Sequence, residues 1–581
     1  MMKDSTEKEE LVIALDIGSS SIRCIPYKTD GESIVAINEC SSSYKRASIQ
    51  PNTGKIVLFD MDDIHNTIID NDSQSVGKRS IFDDIDKCID ETLGLLRSHY
   101  NQVSIPFHII GIGISSFVMN LIGINVRGEI LGEKMTLSYA CNSNEVVVEC
   151  SKLKNELGED RIHNMYQRVG TPIHNAYAIG QLRHLESLNE EVNVHKWTTI
   201  SSYCIQRWTG NDFINIPISY SEASWTGLFN FHTCTWDEEC MKLIPNRFQK
   251  SLPIVSDYNT EQYAIQEYIG SDGCQKRNPY WTRWPELRGS GESDKNYCCK
   301  IFLGFGDGIG ANIGSKCSTP QRIACTIGTS AAVRLCLPYN KLTTAQGKNS
   351  DQVISIPFGL FCYRIDSQRV LLGGALTDGG SIIEFCRKLL NLDSNEKFMA
   401  CLTEAACSYT KNIENNDSNS ELNVVPFLSG ERSTGFRGGA TGCISGLTLN
   451  TTSSDLLRSC LGSVILRLNK IMKLIESNNP TIYKEAKCIV ASGNALEKNS
   501  LWRQMLSDCT GHKVVIDSDA NEGTSRGIAI LISQSLRAIG PYEEKLVVKK
   551  EETPNQEAKK FWTKQTEYQE TLISFLSPMW K

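Results

Sequence analysis

The chain has 581 residues, 40% of them hydrophobic and 22% charged, with a formal net charge of -7. That length and composition fit a globular protein of two large domains or about four small ones, and the acidic balance argues against a general affinity for nucleic acid. No apolar run approaches the ~20 residues needed to span a bilayer, and the polar start MMKDSTEKEE has no secretory pattern. The 22 cysteines are scattered, mostly inside apolar runs, and read as buried, reduced thiols. Neither Cys298-Cys299 nor the Cys234/Cys240 pair has partners at zinc-like spacing. The expectation is a cytoplasmic protein, monomer or homodimer, with no membrane and no nucleic-acid partner.

In chain order, residues 11–29 read as two short strands around a GSSS turn. The polar stretch 41–80 reads as loops, whereas 81–99 places apolar residues at helical spacing. FHIIGIGIS, ending at Ser115, reads as a buried strand, and helical and extended segments alternate between 161 and 208. A Gly/Ser/Lys-rich insertion at 268–299 surrounds WTRWPEL. KIFLGFGDGIGANIGS (300–315) then leads into IACTIGTSAAVR (323–334), which repeats the pattern of IALDIGSSSIR (13–23) about 310 residues later. Low complexity marks 411–420 as a loop, and apolar periodicity predicts an amphipathic helix over 453–476. KCIVASGNA (487–495) predicts a strand entering a Gly turn, and EGTSRGIAILISQSL (522–536) opens another helix. The last ~40 residues are charged with aromatic anchors, a terminal helix or tail. Strands alternating with helices imply an α/β fold. One repeat at so long a distance implies a duplicated domain rather than a tandem array, here 1–314 and 315–581 with a charged C-terminal tail.

A hairpin ending in Gly and hydroxyl residues presents several backbone N–H groups to one anion, making a phosphate nest without a P-loop. Asp16 sits beside the first such turn. A carboxylate next to phosphate needs a cation between them, which makes Mg²⁺ its natural partner, directly or through water. Thr326 holds the matching place in the second turn.

Asp16-x-Gly18-Ser19-Ser20-Ser21-x-Arg23, Thr326-Ile327-Gly328-Thr329-Ser330 and Ala491-Ser492-Gly493 resemble the phosphate-1, phosphate-2 and adenosine motifs of the actin-like ATPase superfamily. Within it the chain is similar to the FGGY carbohydrate kinases from about residue 11 to 537. VGTPIH (169–174), RWPEL (283–287) and the TIGTS run look most like gluconokinase-type members. The resemblance implies two actin-like (ribonuclease H-like) domains around a central ATP/sugar cleft, and transfer of the γ-phosphoryl of MgATP to a hydroxyl of a sugar or sugar acid. A gluconate-like substrate is favoured. Alternatives are a xylulose or ribulose kinase, or a nucleotide-binding regulator of the same fold that no longer phosphorylates.

The resemblance makes Asp307, in Gly306-Asp307-Gly308 and ~22 residues before Thr329, the general base. It assigns Gly18, Ser19, Ser20, Ser21, Arg23, Gly328, Thr329 and Ser330 to the phosphates, and Asp16 to the metal. Gly373 and Gly374 let the backbone lie against the nucleotide, and Ser492, Gly493 and Asn494 face adenine or ribose. Glu522 and Arg526 are either beside the adenosine pocket or a helix cap and surface pair. On the sugar side the chain departs from its relatives: Val118-Met119 replaces a Met-His or Trp-His pair. Tyr139-Ala140-Cys141-Asn142-Ser143 replaces a W-x-D-x-R element, and Ser219 stands where many members carry Asp.

Overall fold

The computed structural model describes residues 8–30, 33–59, 79–188, 193–210, 216–260, 262–269, 275–276, 278–288, 298–339, 354–415, 422–518, 523–540 and 544–580. The chain forms two compact units, and neither is continuous in sequence. The first comprises Met1–Gly314, Tyr363–Gln368 and Glu522–Pro541. The second comprises Ser315–Cys362, Arg369–Asn521 and Tyr542–Lys581.

In the first unit, β1 (Glu9–Ile17) and β2 (Ser21–Thr29) form an antiparallel hairpin. After the capped helix α1 (Ile81–Val103), β3 (Phe107–Ser116) runs parallel to β1 on its other side. β1 is buried along seven consecutive residues because strands flank it and helices cover it, so it reads as a continuous apolar run rather than an alternating one. A short strand β4 (Phe305–Gly306) pairs in parallel with the end of β3 and passes directly into α2 (Asp307–Gly314). The helix Gly523–Leu536 returns from far along the chain to pack on β1, β3 and α2. Its contact with α2 is backbone to backbone: a Cβ at Gly314 would lie 1.8 Å from Gly523 O, and one at Gly527 would lie 1.9 Å from Gly310 O.

The insertion containing RWPEL is a brace on α1. Buried Asp86 accepts from Trp208 Nε1 (2.9 Å), Tyr280 OH (2.7 Å) and Arg207 (2.9 Å). Asp90 accepts from Trp284 Nε1 and Arg283, and Arg97 forms a two-bond pair with Glu286. Burial raises the Asp86 carboxyl above the usual range, against the pull of Arg207.

The second unit repeats the hairpin. β5 (Arg322–Ile327) and β6 (Ala331–Pro338) are antiparallel, followed by β7 (Phe361–Arg364) and β8 (Arg369–Leu376). The expected helix is α3 (Ser453–Asn478), started by a Thr452/Asp455 capping box. β9 (Cys488–Ser492) runs parallel to β5, and β10 (Val514–Asp517) follows it. The C-terminal segment is ordered structure rather than a loose tail. β11 (Val548–Glu552) completes the sheet in the order β7-β8-β6-β5-β9-β10-β11. α4 (Ala558–Leu576) buries Phe561, Trp562, Gln569 and Ile573. Trp562 Nε1 donates to Tyr409 OH, Gln569 to Val424 O, and Arg467 bridges Glu570 and Glu431.

Elsewhere the polar stretch 41–80 holds a short strand, Ser42–Lys45, and its residues 60–78 lie outside the described ones. The helix Asn395–Glu414 covers the start of 411–420, and 416–420 lie outside the described residues. No helix among the described residues is long and apolar enough to cross a membrane.

Candidate active site

Each hairpin is seated the same way. In the first, Asp16 is opposite Arg23 on β2 and opposite Ser115 on β3. Asp16 is 8% exposed, and Ser115 Oγ donates to its Oδ1 at 2.5 Å. In the second, Thr326 is opposite Ser492 on β9, and their hydroxyls share a 2.8 Å bond. The internal repeat therefore extends beyond the hairpin to its parallel neighbour, whose serine braces the residue two before the turn glycine.

The turns are closed by Gly18 N donating to Ser21 O (2.8 Å) and Gly328 N to Ser330 O (2.9 Å). Ser19, Ser20, Gly328, Thr329 and Ser330 are exposed. The first turn has its outer carbonyls engaged, since Arg46 N and Ser48 N donate to Ser20 O and Ser19 O. The second is held by the glycine pair Gly379-Gly380, at the end of LLGGALTDGG (371–380). Gly379 N and Ser381 N donate to Thr329 O, and Gly380 N donates to Gly328 O at 2.7 Å. A Cβ at Gly380 would lie 2.4 Å from that oxygen. Buried Asp378 fixes the glycine pair by accepting from Ser381 Oγ and Ser429 N.

Gly373 and Gly374 lie inside β8 and are buried. Their missing side chains make room for Val333 O and for Ile471 with Ser433, at 2.3 Å and 2.8–2.9 Å from an added Cβ. Gly493 has φ +89°, and a Cβ there would meet Ile327 O at 2.3 Å, so only glycine lets β9 turn against the second hairpin. Half-buried Ser492 precedes it, and exposed Asn494 starts the helix Asn494–Lys498. Arg526 is 7% exposed and donates to Gly314 O at 3.0 Å, a buried bond at the end of α2 rather than a surface pair. Glu522 lies outside the described residues.

Asp307 is the first residue of α2, half-buried, with Gly308 N donating to its Oδ1 at 2.7 Å. Register places it relative to Asp16: Ser115 on β3 is opposite Asp16 on one side and Phe305 on the other. The two carboxylates thus leave the same end of one sheet, with a single strand between theirs. Strand spacing of ~4.8 Å puts their backbones roughly 10 Å apart.

Beside them is a chamber lined by Ser116, Val118, Met119, Glu222, Trp225 and Gly306 among others. None of its described lining residues is Lys, Arg or His. Met119 takes φ +47° and is buried, and Tyr139 and Cys141 pack against the same apolar cluster. Cys141 O accepts from Asn175, Asn142 N donates to Thr53 O, and Ser143 caps the helix Asn144–Val169. Ser219 caps Tyr220–Ser224 in a capping box with Glu222 and donates to Gly304 O at 2.5 Å. Burial raises the Glu222 carboxyl, opposed by bonds from Ser201 and Thr199. These substituted positions are integral parts of the fold.

Residues 11–266 match the N-terminal domain, and residues 323–535 the C-terminal domain, of the FGGY family of carbohydrate kinases. The gluconokinase of Bacillus subtilis (strain 168) is 25% identical over 387 residues. That match spans 65% of this chain and 66% of the relative, just under two thirds of its length. The crystal structure of gluconate kinase from Lactobacillus acidophilus superposes with a TM-score of 0.72 at 21% identity, covering 99% of each chain. The ligand-bound xylulose kinase from Lactobacillus acidophilus gives the same TM-score and identity over 98% of this chain and 99% of that one.

Proposed function

Because the chain belongs to the FGGY family of carbohydrate kinases, we propose that it transfers the γ-phosphoryl group of ATP to a hydroxyl of a small sugar or sugar acid, with a gluconate-like acceptor the first to test. The observation that carries this is the pairing of Asp16 and Asp307 at one end of one sheet, with a small cavity beside them. Asp307 serves as the base that accepts the acceptor hydroxyl's proton, and α2 holds it in place. Exposed backbone and hydroxyl groups of the two turns grip phosphate oxygens, and Ser492, Gly493 and Asn494 serve the nucleoside.

Asp16 fits Mg²⁺, being a hard oxygen donor held in orientation by Ser115. Among the described residues no group of three or more His, Cys, Asp or Glu forms a metal cage. When bound, Mg²⁺ neutralises phosphate charge; Asp16 orients it.

A neutral acceptor of the xylulose kind has one observation in its favour, the lack of a cationic side chain among the described lining residues to pair with an acid's carboxylate. One experiment separates the readings. ADP release from MgATP is measured with gluconate, xylulose, ribulose, ribitol, glycerol, sedoheptulose and no sugar, using wild type and Asp307→Ala. The expected result is acceptor-dependent turnover that falls by at least ~10³-fold in the variant, with ATP affinity retained. Undiminished turnover in Asp307→Ala removes the base assignment. MgATP binding without turnover on any acceptor moves the chain to the regulator reading.

A further inference from the structure

The tip of the β7–β8 hairpin, Tyr363–Gln368, is built into the first unit. Arg364 seats it. The backbone N of Arg364 donates to Ser224 Oγ (3.0 Å), its Nε to Phe231 O (2.7 Å), and its Nη1 to Asp366 O (3.3 Å) and Ser367 O (3.0 Å). Ser367 N donates to Asp257 Oδ2 at 2.7 Å. Seated this way, Tyr363 stacks on Trp225 with ring centroids 3.7 Å apart and planes 27° off parallel. Its hydroxyl shares a 2.9 Å bond with that of Tyr177.

Tyr363 is fully buried, whereas Trp225 is half-buried and lines the chamber. The indole also lies against the turn that carries Asp307. A Cβ at Gly306 would sit 3.0 Å from Trp225 Nε1 and 2.9 Å from Val118 Cγ1. Gly306 is thus bare where the indole passes, and the indole is pinned between Tyr363 and the strand end that leads to the base.

Resting on the kinase reading above, we propose that Trp225 is the wall that selects the acceptor by length, and that Tyr363 is a positioning residue holding the wall at its depth. An acceptor must place one hydroxyl at Asp307 and fit the rest of its carbon chain in the space left by the indole. An aromatic face suits the C–H edges of a polyhydroxylated chain and is indifferent to which hydroxyls those carbons bear.

The test uses the full-length protein and straight-chain polyols of three to seven carbons with the matching aldonic acids. Wild type is expected to prefer one length. Trp225→Ala flattens the preference: kcat/KM for the favoured acceptor falls about tenfold, the equivalent of ~1.4 kcal/mol, mostly through KM, and longer acceptors gain. Tyr363→Ala does the same to a smaller degree. Tyr363→Phe keeps the stacked ring and restores the wild-type profile, and KM for ATP is unchanged throughout. If Trp225→Ala does not fold, Trp225→Phe, with its smaller ring, shifts the preference toward longer acceptors. An unchanged length profile in the folded Trp225 variant overturns the proposal, as does a loss confined to kcat at every length. If wild type phosphorylates nothing, calorimetric binding of the same series decides. Length-dependent binding lost in Trp225→Ala upholds the wall while the kinase reading falls. Absence of binding at any length overturns both.

Discussion

Two glycines that touch across the second turn separate architecture from ligand contact. Gly380→Ala places a Cβ 2.4 Å from Gly328 O, where ordinary contact begins near 3.4 Å, so the turn must retreat by about 1 Å. Three amide bonds cross that junction, from Gly379 and Ser381 to Thr329 O and from Gly380 to Gly328 O. At ~0.5–1.5 kcal/mol net for each bond, the variant loses ~1.5–4.5 kcal/mol. A displacement of ~1 Å at a reacting group also costs roughly 10²-fold in rate. Gly328→Ala is the complement. A Cβ there meets nothing within 4 Å and the backbone is not left-handed, so stability should stay within ~0.5 kcal/mol of wild type. If phosphate lies against that backbone, the added methyl blocks it, and turnover should fall about 10²-fold with a raised KM for ATP. Thermal melting and ADP release on both variants make the comparison. A Gly328→Ala protein with normal stability and normal kinetics refutes the phosphate-gripping role of this turn.

Asp86→Ala strips the acceptor from Trp208, Tyr280 and Arg207 together. Urea unfolding should show a loss of ~3–5 kcal/mol with KM for ATP unchanged, and a stable variant would mean that the RWPEL segment is no brace. Glu222 gives a pH signature. Its folded pKa is raised above the ordinary 4.5 by burial, so the native state holds that proton longer than the unfolded chain. The resulting stability is full below about 4.5, and it is lost as pH rises through the folded value. Glu222→Gln should flatten that decline in melting temperature, and parallel wild-type and variant curves across the range would contradict it.

The parts of the site legible from sequence are those written in one stretch of chain. The strand–turn–strand hairpins, the start of α2 at Asp307 and the helix α3 each follow from local pattern, glycine position and capping residues. What could not be read depends on which distant strands become neighbours. Ser115 and Ser492 brace Asp16 and Thr326 only because β3 and β9 pair in parallel with the hairpins. Gly379-Gly380 is silent in sequence because its meaning lies in Gly328 and Thr329, some fifty residues earlier. Trp225 and Tyr363 meet although many strands and helices separate them in the chain, and no periodicity links them. A faint signal did exist in the spacing Gly310/Gly314 and Gly523/Gly527, two small-residue pairs four apart, the pattern that lets helix backbones touch.

That helix contact governs how the protein can be made. α2, with Asp307 at its head, rests on a helix that ribosomes deliver more than two hundred residues later. During synthesis the first unit must wait, its sheet face at β1 and β3 uncovered, until the chain has emerged past residue 536. In a chain that stops earlier, Asp307 lacks the helix that supports α2, and the uncovered apolar face is open to aggregation. The setting of Asp307 thereby depends on chain made more than two hundred residues after it.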